Sequence, residues 1–418
     1  MDFLKMIRNA AICCFSCTLL FVSFIGSALA YNSKHPYVYL TQQQLDSLSE
    51  LVNSGESNYI TEAYSKMKTY GDARIEDVPL VVAYRGDDPN LVHYRIGLTD
   101  TEKATAWAVS YNVEQDPSKK RRYAQKVKDY VMAYEQARMD AYFGPVVSWS
   151  INILIAYDLT YSSGLYSEGD VTKIQSLLRA GGVVPQANWC ETDAAWNQNM
   201  SHWYCGLFAL SAIMMDDQAA IERAYTQFKR RVDGTYSDGR FHDYDHRNLA
   251  YNNFSLSPML FAAQAAKNTG RDWWGYRGPE GRSLERSVDF LASAAHTRNG
   301  NDWVPSIYGN LSSETGESSG QNIGAYGLAL QQKVLSDQRF IFELALNHNN
   351  KKLYLDILND SSSGKISRGS IYNYHAHYWL STFLNVDKLS GDSQPDHPPS
   401  AEGSPPKAPT NLKFGILP

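Results

Sequence analysis

The sequence has little net charge of either sign. Its 39 lysine and arginine residues are nearly balanced by 44 aspartate and glutamate residues, which gives a formal net charge of −5. Proteins that bind nucleic acid or an anionic membrane surface usually carry a strong positive field, and this chain lacks one. A polyanionic ligand must therefore be held by local cationic and amide groups.

Long apolar runs are almost absent as well. The one clear run spans residues 10–25, follows Lys5 and Arg8, and ends in the sequence Ala28-Leu29-Ala30. A basic start, a short apolar centre and an Ala-x-Ala ending are typical of a secretory signal peptide. We expect residues 1–30 to be removed on export, leaving a secreted or periplasmic protein without a membrane partner; a retained anchor is the alternative.

Cysteine is scarce. The chain has 5 cysteines, and the exported part keeps only Cys190 and Cys205. In an oxidising compartment these two could close a disulfide loop of about 15 residues. We expect instead a pair of small buried thiols beside the candidate site and keep the disulfide as the alternative. Their number and spacing do not resemble a zinc site.

Apolar residues that return at helical spacing dominate the rest of the sequence, whereas alternating runs are few. The pattern predicts helices over roughly 41–53, 57–70, 101–114, 118–139, 145–161, 168–181, 199–216, 218–232, 249–268, 283–296, 322–346 and 373–385. So many helices in one domain predict an all-α fold of stacked helical hairpins. We expect this domain to span residues 31–390, because residues 391–418 hold seven of the 16 prolines and are typical of a disordered tail or linker.

Two polar and aromatic segments interrupt these helices. The first begins with Asn199 and His202, whose three-residue spacing places them on one face of a helix start. The second contains Arg247 and Tyr251, which lie four residues apart and would also share a helix face. Both segments therefore bring hydrogen-bond donors and a phenol to the ends of helices.

Amide, imidazole, guanidinium and phenol suit elimination from a uronic acid. Hydrogen-bond donors that neutralise the substrate carboxylate make the neighbouring C5 proton acidic. A base then removes this proton, and an acid protonates the departing O4. A tyrosine can do both in turn if a nearby cation lowers its ordinary pKa of about 10. Arg247 is the obvious cation for Tyr251.

The same segments resemble the alginate lyase family, the poly(β-D-mannuronate) lyases of polysaccharide lyase family 5 and their relatives. The sequence Leu-Ala-Tyr-Asn-Asn-Phe at residues 249–254 is similar to the family's catalytic-tyrosine segment, and residues 199–204 are similar to its Asn-Asn-His-x-Tyr-Trp element. His35-Pro36, residues 41–45 and residues 156–159 resemble its helical scaffold. The resemblance covers residues 31–387 diffusely.

This resemblance implies an incomplete α/α toroid with a long substrate cleft. It also implies a metal-independent elimination without a cofactor, in which Tyr251 is the acid and the base. One departure concerns His202, because the family histidine directly follows an asparagine, whereas here the preceding residue is Ser201. Aligned by the apolar residues downstream, Ser201 would occupy the family's histidine position instead.

The candidate site follows from these observations. We assign the catalytic roles to Tyr251, Arg247, Asn199 and His202. The candidate substrate contacts are Trp203, Tyr204, His246, Asn252, His375 and His377. His242 and His246 lie four residues apart, but no carboxylate or third histidine stands at a telling spacing, so we expect no metal site.

The leading functional hypothesis is an exported, monomeric lyase that cleaves a β-linked polyuronate. The leading candidate for this polymer is mannuronate-rich alginate. One alternative keeps the reaction and changes the polymer to glucuronan. A second is a glycoside hydrolase, which needs two carboxylates about 5 to 9.5 Å apart. The available carboxylates are Glu191, Asp193, Asp238 and Asp243. A third is a carbohydrate-binding protein without catalysis.

Overall fold

The computed structural model describes residues 35–81, 92–136, 144–183, 187–188, 190–191, 199–241, 249–295, 339–359 and 378–389. Every regular element in these ranges is helical, which confirms the all-α class. The α-helices are α1 Gln42–Asn53, α2 Tyr59–Asp72, α3 Val92–Val113, α4 Pro117–Gln136, α5 Gly144–Thr160, α6 Glu168–Leu177, α7 Asn199–Met214, α8 Gln218–Asp233, α9 Leu249–Asn268, α10 Leu284–Ala295, α11 Arg339–His348, α12 Lys352–Asn359, α13 Tyr378–Phe383 and α14 Val386–Leu389. The expected signal peptide and the proline-rich tail lie outside the described residues.

Helix starts follow local sequence rules. Thr41 caps α1: its hydroxyl accepts a hydrogen bond from the Gln44 backbone N–H, and the Gln44 side-chain oxygen accepts one from the Thr41 backbone N–H. Asp217 caps α8 by accepting from the Ala220 backbone N–H. Each cap satisfies N–H groups that the helix itself leaves without partners.

The N-terminal segment before α1 is fixed by a buried aspartate. Asp158, near the end of α5, accepts hydrogen bonds from the backbone N–H groups of Tyr37 and Val38 at 3.0 and 2.8 Å. Its other carboxylate oxygen lies 2.5 Å from His35 Nδ1. Both side chains of the His35–Asp158 pair are fully buried. The described chain therefore enters the core at its first residues.

An inner layer of helices runs in one direction. Along α3 and α5, Asn152 donates to the Thr101 hydroxyl at 3.0 Å, and Asn112 donates to the Leu159 carbonyl at 2.9 Å. Both residues of the second pair lie farther along their helices than those of the first, so α3 and α5 are parallel.

The next members of the layer, α9 and α11, are parallel by the same argument. The Phe261 and Phe340 rings lie 6.4 Å apart, and Asn347 donates to Gln264 at 2.7 Å.

An outer helix returns in the opposite direction between α7 and α9. Arg231, near the end of α8, donates to Cys205 Sγ at 3.3 Å, whereas Arg223, nearer the start of α8, lies over the Phe208 ring. Position 231 thus meets an earlier residue of α7 than position 223 does, so the two helices are antiparallel. Parallel inner helices joined by antiparallel outer helices are the α/α toroid that was expected. No helix within the described ranges is long and apolar enough to cross a membrane.

The close approach of α7 and α9 depends on a glycine. A Cβ atom at Gly206 would lie 2.7 Å from Pro258 Cβ and 3.1 Å from the Pro258 carbonyl oxygen. The Trp203 and Phe254 rings, one turn earlier on each helix, lie 5.0 Å apart. These contacts make α7 and α9 parallel as well, and they fix the register between them.

Replacing Gly206 by alanine should therefore destabilise the protein. Alanine favours a helix by about 1 kcal/mol over glycine, but the forced separation at Pro258 should cost about 1–3 kcal/mol. Gly169 in α6 is the matched control, because its nearest atom would be Ser167 Oγ at 3.7 Å. Denaturant unfolding should show a lower midpoint for Gly206→Ala and an unchanged or higher one for Gly169→Ala. Equal stability of the two variants would contradict the tight crossing.

Candidate active site

Helices α7 and α9 begin at the same end of the fold, and this brings the two predicted segments together. Asn199 lies seven residues before Gly206, and Tyr251 lies seven residues before Pro258. Seven residues are close to two helical turns, so both positions lie on the faces that meet at the Gly206–Pro258 contact. The register thus places the backbone of Tyr251 level with Asn199. Of Tyr251 itself, the structure describes only the backbone.

Asn199 is the first residue of α7 and is 8% exposed. The first N–H groups of a helix have no partners within the helix, and they carry the positive end of its dipole. Two parallel helices that start side by side therefore favour an anionic group at this end. An amide at this point can donate to such a group without contributing charge of its own.

His202 lies one turn deeper than Asn199 and has no exposed surface. Its ring stands edge-on to Phe241, with the ring centroids 5.0 Å apart and the ring planes at 85°. Phe241 is itself fully buried, and its backbone N–H donates to Asn252 Oδ1 at 2.8 Å. His202 and Asn252, one from each predicted segment, therefore belong to one cluster around Phe241.

Ser201 is the alternative to His202 for the functional position on α7. It lies four residues before Cys205 and so shares a helix face with it. That face meets the outer helix α8, because Cys205 Sγ accepts a hydrogen bond from Arg231 at 3.3 Å. Ser201 has no exposed surface either. Exposure thus does not separate Ser201 from His202, and both lie within one turn of Cys205 on the helix surface.

Three expected substrate contacts are buried in the structure. Trp203 is fully buried between Phe254 and Phe261, at ring distances of 5.0 and 6.3 Å, so its indole cannot stack on a sugar. Asn252 also has no exposed surface, and its carbonyl oxygen is engaged by the Phe241 backbone. Tyr204 is 4% exposed and belongs to the core. Aromatic residues pack cores and bind sugars with the same chemistry, so residue type alone could not tell the two apart.

The expectation of two buried thiols is wrong. Cys190 and Cys205 form a disulfide across a sequence separation of 15 residues. The fully buried Arg231 supports it by donating to the Cys190 carbonyl at 2.6 Å. The bridge fastens the chain before α7 to the second turn of that helix. Cys205 therefore lies in the turn that follows the one carrying Asn199 and His202.

Several predicted residues lie outside the described ranges. These are His246, Arg247, His375 and His377, together with Asp193, Asp243 and His242. Within the described parts of the chain, no group of three or more His, Cys, Asp or Glu residues is placed to hold a metal ion.

The described carboxylates of the hydrolase alternative are engaged in ion pairs. Glu191 accepts two hydrogen bonds from Arg223, each of 2.9 Å. Asp238 pairs with Arg240 at 2.7 Å. Both carboxylates are therefore already bound by arginine side chains. The site geometry therefore favours amide, imidazole and phenol chemistry over a carboxylate pair.

Comparison with known proteins finds one matching family model and several similar solved structures. The family model described as alginate lyase matches residues 26–303. A crystal structure of an alginate lyase from Bacteroides ovatus is similar over 82% of this chain and 98% of that chain, with 14% identity and a TM-score of 0.55. Alginate lyase A1-III from Sphingomonas species A1 covers 76% of this chain and 94% of its own, with 13% identity and a TM-score of 0.48. None of the curated proteins matches the chain.

Proposed function

The chain belongs to the alginate lyase family. We propose that this polysaccharide lyase cleaves β-linked polyuronates and leaves 4,5-unsaturated ends, with mannuronate-rich alginate as its preferred substrate. The observation that carries the proposal is the parallel register of α7 and α9, which sets the Asn199 and Tyr251 positions side by side. Residues that are far apart in sequence, and that the reaction needs together, thereby share one end of the fold.

Neutralisation of the substrate carboxylate is the task of α7. The Asn199 amide donates to the carboxylate, and the helix start adds its partial positive charge. His202 lies about 4.5 Å farther along the helix axis. A buried imidazole beside the carboxylate stabilises the negative charge that develops on it, because the surroundings screen the interaction less than water does.

Proton transfer is the task of Tyr251. Its phenolate takes the C5 proton, the electrons of the C5–H bond form the C4–C5 double bond, and the C4–O4 bond breaks. The phenol then gives the same proton to the departing O4, so the enzyme returns to its starting state. Arg247, four residues before Tyr251 in sequence, stabilises the phenolate.

Replacing Arg247 by alanine should shift the pH dependence of the reaction. Loss of the cation raises the pKa of the Tyr251 phenol, so a smaller fraction is phenolate at a given pH. The rising limb of the kcat/KM profile should move to higher pH, and the rate at neutral pH should fall. Arg247→Lys is the matched control, because it keeps the charge and should keep the profile nearer that of the wild type. An unchanged profile in Arg247→Ala would remove Arg247 from the mechanism.

The proposal extends to export and assembly. The basic start and apolar run of residues 1–30 support removal of a signal peptide, and the oxidised Cys190–Cys205 pair fits an oxidising compartment. We propose a secreted or periplasmic monomer that acts on an anionic polysaccharide.

Substrate preference is tested by digesting polymannuronate, polyguluronate and glucuronan under the same conditions and following ultraviolet absorbance of the unsaturated product. The fastest rise should come from polymannuronate. Faster cleavage of glucuronan would keep the reaction and change the polymer. New reducing ends without absorbance would indicate a hydrolase, and binding without either signal would indicate a non-catalytic protein.

A further inference from the structure

The residue that follows the candidate catalytic tyrosine connects the two halves of the site. The side chain of Asn252 is fully buried in the first turn of α9. Its oxygen accepts the Phe241 N–H at 2.8 Å, and its amide nitrogen has no partner among the described residues. This one bond links Phe241 to Asn252, and the segment that contains Arg247 lies between these two residues in sequence.

Phe241 is also held from its other side. The preceding turn is closed by a bond of 2.8 Å from the Tyr236 N–H to the Arg240 carbonyl. Gly239 within this turn has a φ of +98°, and a Cβ there would lie 2.3 Å from the Arg286 carbonyl oxygen at the start of α10. Only glycine fits so close to that backbone. With both flanks fixed, the Phe241 ring is directed at His202.

We propose that Asn252 is a positioning residue, which holds Phe241 against His202 and thereby fixes the imidazole relative to Tyr251. The inference rests on the proposed elimination for its catalytic consequence, but the contact itself does not. Asn252 adjoins Tyr251 in sequence, and Phe241 touches His202 in space. The bond between them therefore couples α9, which carries the phenol, to α7, which carries the imidazole.

The test compares two neighbouring asparagines in the full chain. Asn253 is 2% exposed, and its side-chain oxygen has no hydrogen-bond partner among the described residues, so Asn253→Ala is a matched control for Asn252→Ala. In Asn252→Ala we expect kcat on polymannuronate to fall by about 10-fold or more, with KM within about twofold. In Asn253→Ala both should stay within about twofold of the wild type.

A second readout does not need activity. Carbon–proton spectra of labelled histidine rings report the His202 ring, which is assigned by its loss in His202→Gln. Asn252→Ala should move the His202 signal, because the ring of Phe241 is no longer held edge-on to it, whereas Asn253→Ala should not. Phe241→Leu keeps the backbone bond and removes the ring, so it should move the same signal even if Asn252→Ala fails to fold.

The two readouts separate the possible failures. If the wild type does not form unsaturated ends but the His202 signal moves as expected, the elimination is wrong and the positioning contact stands. If the wild type is a lyase and Asn252→Ala changes neither the His202 signal nor kcat beyond Asn253→Ala, the positioning role is wrong. Equal losses of Tm in the two asparagine variants, without those changes, would likewise overturn it.

Discussion

Replacing Tyr251 by phenylalanine should reduce elimination on polymannuronate by about 100-fold or more, because general acid and base groups typically contribute 10²- to 10⁴-fold. The substitution removes one hydroxyl and keeps the ring, so it should leave the fold and polymer binding nearly intact. The measurement is the initial rate of ultraviolet absorbance, together with the Kd for a mannuronate oligomer and the Tm of the variant.

Tyr276→Phe is the matched control for this change. The Tyr276 hydroxyl donates to Asp233 at 2.9 Å, and burial together with that carboxylate raises the pKa of Tyr276 to about 12. Its loss should cost stability of about 1 kcal/mol and leave the rate unchanged. If Tyr251→Phe keeps more than about a tenth of the wild-type turnover, Tyr251 is not the general acid.

Replacing His202 by alanine should lower the catalytic rate by about 100-fold or more, as is expected when a preorganised group that stabilises transition-state charge is lost. Ser201→Ala should cost little. The reason is that His202 lies three residues after Asn199 on the same helix face and that its ring contacts Phe241. Rates and Tm values of both variants should be measured together.

The opposite order of effects would show that the motif is displaced by one residue. Ser201 would then be the functional group and His202 a packed core histidine. Both side chains are fully buried, and His202→Ala removes more buried volume than Ser201→Ala, so it should lower Tm more. Rates are therefore compared at a temperature where both variants are folded.

Much of the fold is predictable because it depends on local patterns. The sequence pattern predicts that helices begin at 199 and 249, and the structure begins α7 and α9 at these residues. The start of α3 was expected at 101, but the helix begins at Val92. Asp100 in its interior is a residue type common at helix caps, yet here its carboxylate is buried and accepts from the Leu80 N–H and the Tyr134 hydroxyl. Those partners are far away in sequence, so local rules cannot reveal them.

The candidate site likewise has one part that follows from local spacing and one part that depends on contacts between distant segments. Spacing along one helix predicts that Asn199 and His202 share a face, because that relation is local. The register that brings Asn199 level with Tyr251 depends on Gly206 against Pro258, a contact between distant segments. A glycine and a proline within two apolar helices were the signal that could have indicated a close crossing, but a single sequence does not say which two helices meet.

Burial was the other quantity that residue type could not supply. Trp203 and Asn252 belong to a motif with functional chemistry, yet both lie inside the core, since the two parallel helices cover them. The Cys190–Cys205 bridge is similar: the spacing permits a disulfide, and only the fold brings the two residues together. Asn252 was expected to contact the substrate, but in the structure its side chain binds the Phe241 backbone.

If the chain cuts a polyuronate by elimination, the ratio of its two kinds of product end shows it. Polymannuronate is digested, and the unsaturated ends, quantified by ultraviolet absorbance, are compared with the new reducing ends in the same sample. Elimination adds no water, so each cut should give one unsaturated end for each new reducing end. Reducing ends that accumulate without the absorbance would show that the chain is a hydrolase, because water would then have been added across the glycosidic bond and no C4–C5 double bond would have formed.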